Sequence, residues 1–257
     1  LWVGLNAADS LRAVDLATRT VGPSYAVGTT SHGDVLHAGE IEAIPGSASA
    51  ILVSTRRRGV SPDFGGVFVF DEGVRRPMGT RDHTGARMIE VASPTRAYGF
   101  NNASTEFGFR DLVISASGVV EGTVTEELID GFGTDIVYEG GLIFATDGSV
   151  VDPTIPMRVG RLPVAGPVAP EAATNRVYVV VGSGPTMRSA PFWLVSLDRT
   201  TLVEIGRVML TDVTGPPRRL RRWGDLGVAF LEGPDSSSDD VATHLVVVTS
   251  NLISPPP

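Results

Sequence analysis

The stretch that decides the fold runs from Thr174 to Val208 and reads TNRVYVVVGSG, then a polar loop, then APFWLVSLDRTTLVEIGRV. Short β-branched runs bounded by turn formers are typical of strands. We therefore predict strands at Val177–Val181, Phe192–Leu197 and Leu202–Val208. The same order of strand and turn recurs along the chain, which predicts a series of small antiparallel sheets.

The recurring pattern divides the 257 residues into six units of about 43 residues each. A period of about 40–50 residues with four strands is expected of propeller blades. We therefore predict an all-β fold, a β-propeller of about six to seven four-stranded antiparallel blades, as one domain over residues 1–253. Unit one lacks its innermost strand and unit six its outermost. A sandwich or a barrel is the alternative with the same strand content, and only Glu126–Asp130 admits a helical turn.

Two aspartates occupy the same place in different units. The stretch LRAVDLATRTVG aligns with WLVSLDRTTLVEIG, so that Asp15 matches Asp198. An Asp at the end of a strand, followed by Thr and Arg, makes a turn in which its carboxylate accepts hydrogen bonds from backbone N–H groups about two residues on. We therefore predict a structural role for both carboxylates.

The units resemble the YVTN-type and quinoprotein-like β-propeller repeats. Residues 174–206 carry the resemblance best, with N-R-V-Y-V, a Gly-containing loop and an Asp-x-x-Thr turn; residues 1–22 carry its second half, and residues 135–160 a looser copy. The resemblance implies a ring of blades with a central channel, and no particular reaction. Trp-Asp dipeptides and sialidase-type boxes are absent, and three Trp are too few to stack a pyrroloquinoline cofactor, so we expect no cofactor.

Composition narrows the class of partner. The net charge is −8, which argues against nucleic-acid binding, and all 21 basic residues are Arg. Cys is absent, and no run of about 18 apolar residues exists to span a membrane. We expect an extracellular, cell-surface or periplasmic domain, monomeric and part of a longer chain, with residues 254–257 as a Pro-rich tail or the start of a linker.

Clustered arginines are the candidate binding residues. Guanidinium groups bind carboxylate and sulfate with two parallel hydrogen bonds, which favours an anion- or polysaccharide-binding patch, and a Trp can stack on a sugar or on Arg. The alternative is that these side chains occupy exposed positions and pair with acids. The candidates are Arg56, Arg57, Arg58, Arg75, Arg76, Arg221, Arg222 and Trp223.

A metal site has weaker support. The aspartates of PDSSSDD, namely Asp235, Asp239 and Asp240, could bind Ca²⁺, but the D-x-D-x-D-G register is missing and a solvated loop is the alternative. The four histidines, His32, His37, His83 and His244, lack the spacings that place two imidazoles on one metal. Asn102-Ala103-Ser104 is a glycosylation sequon, a match that also arises by chance.

Two functions remain. The first is a non-catalytic binding or scaffold module, whose protein or polysaccharide partner contacts loops at one end of the ring. The alternative is an enzyme, a hydrolase, lactonase or lyase, with its site at the mouth of the channel. The residues that could converge there are His83, Asp82, Asp135, Glu139 and Asp225.

Overall fold

The computed structural model describes residues 1–183, 189–233 and 243–253. Within these ranges it contains 22 β-strands, one short 3-10 turn at Asn6–Ala8 and no α-helix, which confirms the all-β prediction. The described residues include no helix whose length and hydropathy would let it cross a membrane. The chain divides into two compact units, Leu1–Ile136 and Val137–Pro257.

The first unit consists of three antiparallel meanders, in which each strand pairs with the next one along the chain. The first meander contains β1 (Trp2–Leu5), β2 (Ser10–Asp15) and β3 (Thr20–Ala26). The second contains β4 (Leu36–Ala43), β5 (Ile51–Arg57), β6 (Phe64–Asp71) and β7 (Val74–Gly79). The third contains β8 (Met88–Ser93), β9 (Arg96–Phe100), β10 (Phe109–Ser115) and β11 (Gly118–Thr125).

The second unit continues the pattern with three more meanders. The fourth contains β12 (Ile136–Glu139), β13 (Leu142–Ala145), β14 (Ser149–Asp152) and β15 (Met157–Arg161). The fifth contains β16 (Val168–Glu171), β17 (Arg176–Ser183), β18 (Ser189–Asp198) and β19 (Glu204–Leu210). The sixth contains β20 (Pro217–Trp223), β21 (Gly227–Glu232) and β22 (His244–Thr249). Within the described ranges, the first and sixth meanders each have three strands, one fewer than the others.

One contact departs from a simple series of separate meanders. The last strands β7 and β11 pair in parallel at Met78 and Gly118, which joins the second and third meanders into one eight-stranded sheet. The backbone N–H of Met78 donates to the carbonyl of Ser117 at 2.8 Å. Gly118 has φ +135°, and a Cβ there would lie 2.0 Å from the Met78 carbonyl oxygen. The close approach of the two strands therefore requires glycine at this position.

Within each unit, the core lies between consecutive meanders, so that inner strands are buried on both faces. In β17, Val177, Val179 and Val181 pack against the fourth meander, whereas Tyr178 and Val180 pack against the sixth. Successive side chains of a strand point to opposite faces of the sheet. This explains why β17 reads as an unbroken apolar run and shows no alternation of polar and apolar residues.

The predicted aspartate turns are present. The Asp15 carboxylate accepts hydrogen bonds from the N–H groups of Ala17 and Thr18 at 2.8 and 3.1 Å. The Asp198 carboxylate accepts equivalent bonds from Thr200 and Thr201 at 3.0 and 2.8 Å. These backbone donors hold the pKa of both carboxyls below the usual range. The structural role predicted for both carboxylates is confirmed.

Candidate functional site

A pocket of about 370 Å³ is lined by residues of the fourth, fifth and sixth meanders. All of these residues lie on β12, β16 and β20, the first strand of each meander. The repeat thus brings together side chains that are far apart in sequence. The apolar lining residues are Val137, Ala169, Pro170 and Leu220, and the charged ones are Glu139, Glu171, Arg221 and Arg222.

Arg222 forms one wall of the pocket and is held by several protein groups. Its Nε lies 2.8 Å from Oε1 of Glu171, and both side chains are largely buried, with 20% and 17% exposed. Its terminal nitrogens donate to the carbonyls of Asp225 at 3.1 Å, Gly227 at 3.3 Å and Ile253 at 3.4 Å. The guanidinium therefore ties β16 to the turn after β20 and to the residues after β22.

Tyr178 packs against Arg222 in the same wall. The Arg222 guanidinium carbon lies 5.5 Å from the centre of the Tyr178 ring, and the Tyr178 hydroxyl donates to the Ile253 carbonyl at 3.0 Å. Burial, and then the negative charge of Glu171, raise the pKa of the Tyr178 hydroxyl. The second carboxylate oxygen of Glu171 accepts a hydrogen bond from the Thr174 hydroxyl. Both carboxylate oxygens of Glu171 thus have protein partners, which hold this wall of the pocket in place without a ligand.

Glu139 lies at the end of β12 and is half-buried. Its Oε1 accepts the N–H of Ala172 at 3.3 Å. Its carbonyl and that of Gly140 accept hydrogen bonds from the Arg199 guanidinium at 2.9 and 2.8 Å. Arg199 therefore fixes the backbone that carries the Glu139 carboxylate.

Arg221 and Trp223 lie on the exposed face of β20. They are two residues apart in the strand and so share a face, and both are exposed, Trp223 by 55%. One nitrogen of Arg221 donates to the carbonyl of Leu220 at 3.3 Å. An exposed guanidinium beside a flat indole ring can bind a carboxylate or sulfate and the face of a sugar.

The pocket combines residues from both sequence predictions. Arg221 and Arg222 come from the predicted binding residues, and Glu139 from the residues predicted for an enzyme. Glu171 was missed because β16, which reads VAPE, contains a proline and is only four residues long. A signal was present in the sequence, since IVYE of β12 and VAPE of β16 both end in Glu before a turn.

The arginines Arg57 and Arg58 lie in the first unit, at the end of β5. Arg57 is largely buried, and one of its terminal nitrogens is 3.6 Å from the Asp34 carboxylate and 3.7 Å from that of Asp82. Arg58 pairs with Asp9 at 2.6 Å. These contacts match the alternative in which the arginines pair with acids, and the predicted role in binding stays a prediction.

Arg56 is the third member of that cluster. It lies opposite His37 in the pairing of β4 with β5. Burial of the imidazole, and then the positive charges of Arg58 and Arg56, lower the pKa of His37. A lowered pKa favours the neutral form of the imidazole at pH 7.

The arginines of β7 also contact protein groups. Arg75 lies with its guanidinium carbon 4.4 Å from the centre of the Phe68 ring and donates to the carbonyl of Thr29 at 3.3 Å. Nε and one terminal nitrogen of Arg76 both donate to Oδ2 of Asp71, and the other terminal nitrogen donates to the carbonyl of Ser115 at 2.7 Å. The Arg76 side chain thus connects β7 to the end of β10.

The other four residues predicted for an enzyme do not line the pocket. Asp82 faces Arg57, and His83 lies in the loop after β7, where its N–H donates to the carbonyl of Phe64 at 3.0 Å. Asp135 caps the start of β12 by accepting the N–H of Ile136 at 2.9 Å. The carbonyl of Asp225 accepts from Arg222.

Two further predicted features concern a metal and a glycan. Among the described residues, no group of three or more His, Asp or Glu side chains could hold a metal ion. Asp235, Asp239 and Asp240 lie outside the described residues, as does the tail at residues 254–257. Asn102 of the sequon is 4% exposed, and its Nδ2 donates to the carbonyl of Thr134 at 2.8 Å. The nitrogen that would carry a glycan is therefore turned inward.

The comparisons with known proteins support a propeller-like fold. No family model matches the chain, and no curated protein sequence matches it. Solved structures of the β-propeller type do match its fold.

Hydrazine synthase from Kuenenia stuttgartiensis matches with a TM-score of 0.57 and 12% identity, over 83% of this chain and 63% of that one. AztD from Citrobacter koseri matches with a TM-score of 0.52 and 14% identity, over 97% of this chain and 65% of that one. This chain thus spans less than two thirds of the length of either structure, and the likeness concerns the fold alone.

Proposed function

We propose that the protein is a non-catalytic binding or scaffold module, in which the six meanders are blades of a propeller. The succession of meanders and the cores between consecutive ones support this arrangement. First strands of consecutive meanders contact each other, β1 with β4 and β4 with β8 in the first unit, and β16 with β20 in the second. First strands that lie against one another are expected of blades around a shared axis.

The ligand class that we propose is a polysaccharide that carries carboxylate or sulfate groups. The observation that carries this proposal is the pocket with exposed Arg221 beside a fixed wall of Arg222 and Glu171. Arg221 would bind the acidic group, Trp223 on the same face would stack on the sugar, and Glu139 would accept hydroxyl hydrogen bonds. A pocket whose wall is ordered in advance loses little entropy when a ligand binds.

Calorimetric titration with an oligogalacturonate, and with a neutral cello-oligosaccharide as the matched ligand, tests this proposal. We expect the acidic oligosaccharide alone to bind, and R221M to weaken it about tenfold or more, because a charge-assisted pair with carboxylate is lost. W223A should weaken it less. R207M is the matched control, since Arg207 is an exposed arginine paired with Glu204 on β19. Equal binding of both oligosaccharides, or equal loss in R221M and R207M, would contradict the proposal.

The enzyme alternative is tested in the same mixtures. Glu139, a half-buried carboxylate in the pocket, is the residue that favours it. If the oligosaccharide is shortened by the wild type and not by E139Q, the module is a polysaccharide-cleaving enzyme. An extracellular, cell-surface or periplasmic location stays part of the proposal, and fractionation of the source cells tests it.

A further inference from the structure

His37 of β4 is a half-buried histidine where the first and second meanders of the first unit meet. Its neighbours Leu36 and Ala38 are buried in a core that also contains Leu11 of β2. The Nδ1 atom of His37 is buried and has no hydrogen-bond partner in the described part of the chain. In a neutral imidazole this nitrogen can be the acceptor, but in the protonated ring both nitrogens are donors. Protonation would therefore leave a buried N–H without an acceptor, which is unfavourable.

Two arginines lie beside the imidazole. Arg56 is the residue opposite His37 in the pairing of β4 with β5, and Arg58 follows β5 directly. The Cβ atoms of residues directly opposite each other lie about 4.5–5.5 Å apart, and like charges at such positions destabilise a sheet. A protonated His37 would therefore add a third positive charge to a place that already has two.

The two carboxylates that act on His37 are already paired with arginines. The Asp9 carboxylate, just before β2, lies 2.6 Å from a terminal nitrogen of Arg58. The Asp63 carboxylate, just before β6, lies 3.1 Å from a terminal nitrogen of Arg87. Neither carboxylate could pair with a protonated imidazole without weakening its present ion pair. The surroundings of His37 thus favour its neutral form.

The balance of these contacts decides how acid acts on the fold. Burial is the largest cause that lowers the pKa of His37, and the charges of Arg58 and Arg56 come next, whereas the carboxylates of Asp9 and Asp63 raise it and are outweighed. In the unfolded chain these contacts are absent, and histidine titrates near pH 6.5. The unfolded chain therefore takes up its proton at a higher pH than the folded chain does. Stability is fully present above this range and is lost as the pH falls through it.

Arg58 couples the histidine to the first meander. Its guanidinium pairs with Asp9 and donates to the carbonyl of Asn6, in the 3-10 turn between β1 and β2. A proton on His37 repels Arg58 and attracts Asp9, so it opposes the ion pair between them. This ion pair joins the turn before β2 to the end of β5, which belongs to the second meander.

From this arrangement we infer that His37 is a pH-sensitive contact, whose protonation in mild acid loosens the first meander from the second. Among the described residues, no other histidine has a buried ring nitrogen without a hydrogen-bond partner. Histidine is the side chain whose charge ordinarily changes between about pH 5 and 8, so the contact responds to small changes in acidity. The inference concerns the first unit and does not depend on the function proposed for the pocket.

Urea unfolding of the whole chain between about pH 7.5 and about pH 5 tests the inference. H37Q keeps a polar side chain that takes up no proton, and H32Q is the matched control, because His32 is exposed in the preceding loop. As the pH falls below about 6.5, the unfolding constant of the wild type should rise more than that of H37Q, by at most about tenfold per pH unit. H32Q should follow the wild type. Equal pH dependence of the wild type and H37Q would overturn the inference.

Amide hydrogen exchange at about pH 5.5 shows where the chain loosens. At one pH the intrinsic exchange rates are the same, so the wild type and H37Q can be compared directly. We expect the amides of β2 and β4 to exchange faster in the wild type than in H37Q, and those of the second unit to exchange alike. A difference spread evenly over both units, or no difference, would contradict a contact between the first two meanders.

An NMR titration of the imidazoles, assigned from the backbone, keeps the inference testable even if H37Q does not fold. We expect His37 to titrate below about pH 6.5 in the wild type. In R58M it should titrate at higher pH, because a positive neighbour is lost and Asp9 is released from its ion pair. Titration of His37 at or above about pH 6.5, or an unchanged titration in R58M, would rule out the proposed role.

Discussion

Replacement of Arg222 by Met tests whether this arginine stabilises the wall of the pocket. Met keeps the packing of the aliphatic stem but removes the charge, the ion pair with Glu171 at 2.8 Å and the hydrogen bonds to the carbonyls of Asp225, Gly227 and Ile253. Removal of one partner of a buried pair costs about 3–5 kcal/mol, and loss of an exposed pair about 0–1 kcal/mol.

The pair of Arg222 with Glu171 lies between these limits, because about a fifth of each side chain is exposed. We therefore expect R222M to lower the free energy of unfolding by about 2–4 kcal/mol, or the melting temperature by about 5–15 °C. R221M should change it by less than about 0.5 kcal/mol, because Arg221 is exposed on the opposite face of the strand. The two neighbouring arginines should thus differ strongly in stability.

Urea unfolding of R222M, R221M, E171Q and the double variant E171Q/R222M measures this difference. Because E171Q removes the carboxylate that R222M leaves unpaired, the double variant should cost less than the sum of the single ones, by about 1–2 kcal/mol. The reasoning is refuted if the free energy of unfolding of R222M lies within about 0.5 kcal/mol of the wild-type value, which is the usual range for surface substitutions. Equal destabilisation by R221M would refute it too.

Two further predictions concern the backbone and pH. G118A should destabilise the first unit by about 2–4 kcal/mol in thermal unfolding, because its Cβ would lie 2.0 Å from the Met78 carbonyl oxygen. G33A is the control, since Gly33 has φ +90° and open space around it, and it should destabilise the protein by only about 1 kcal/mol. Glu232 accepts N–H bonds from Gly215 at 2.6 Å and Thr214 at 2.8 Å, which lower its pKa. E232Q should thus lower the free energy of unfolding by about 1 kcal/mol at pH 7. Urea unfolding at several pH values checks the cause: the difference from wild type should vanish as pH falls below about 4, because Glu232 is then protonated in the folded protein too.

The strands and turns of the fifth meander were predictable because they depend on local sequence. The predicted strands Val177–Val181 and Phe192–Leu197 lie within β17 and β18. β19 begins at Glu204, two residues later than predicted, because the turn after Asp198 includes Leu202 at φ +60°. The turn itself was predictable, since an aspartate side chain bonds to its own neighbours wherever the rest of the chain lies.

The pocket was not predictable in the same way, because it depends on which strands become neighbours. Arg221 and Arg222 are adjacent and of one type, and nothing local separates the residue that ties strands together from the one that faces solvent. Their roles follow from the alternation of β20 and from Glu171, about 50 positions earlier in sequence. The parallel pairing of Gly118 with Met78 likewise depends on tertiary contact and leaves no local pattern.

The arginines of this lysine-free chain supply hydrogen bonds to the backbone as well as positive charge. Arg58, Arg76, Arg199 and Arg222 each donate to a backbone carbonyl of a distant segment, as Arg199 does to Glu139 and Gly140. A guanidinium has five donors in a rigid plane, so it can pair with an acid and still bind a carbonyl, whereas an ammonium group is a compact charge on a flexible stem. In a fold of short strands and many loops, such side chains fasten loops to neighbouring strands. We therefore propose a binding role only for arginines that line a pocket, as Arg221 and Arg222 do.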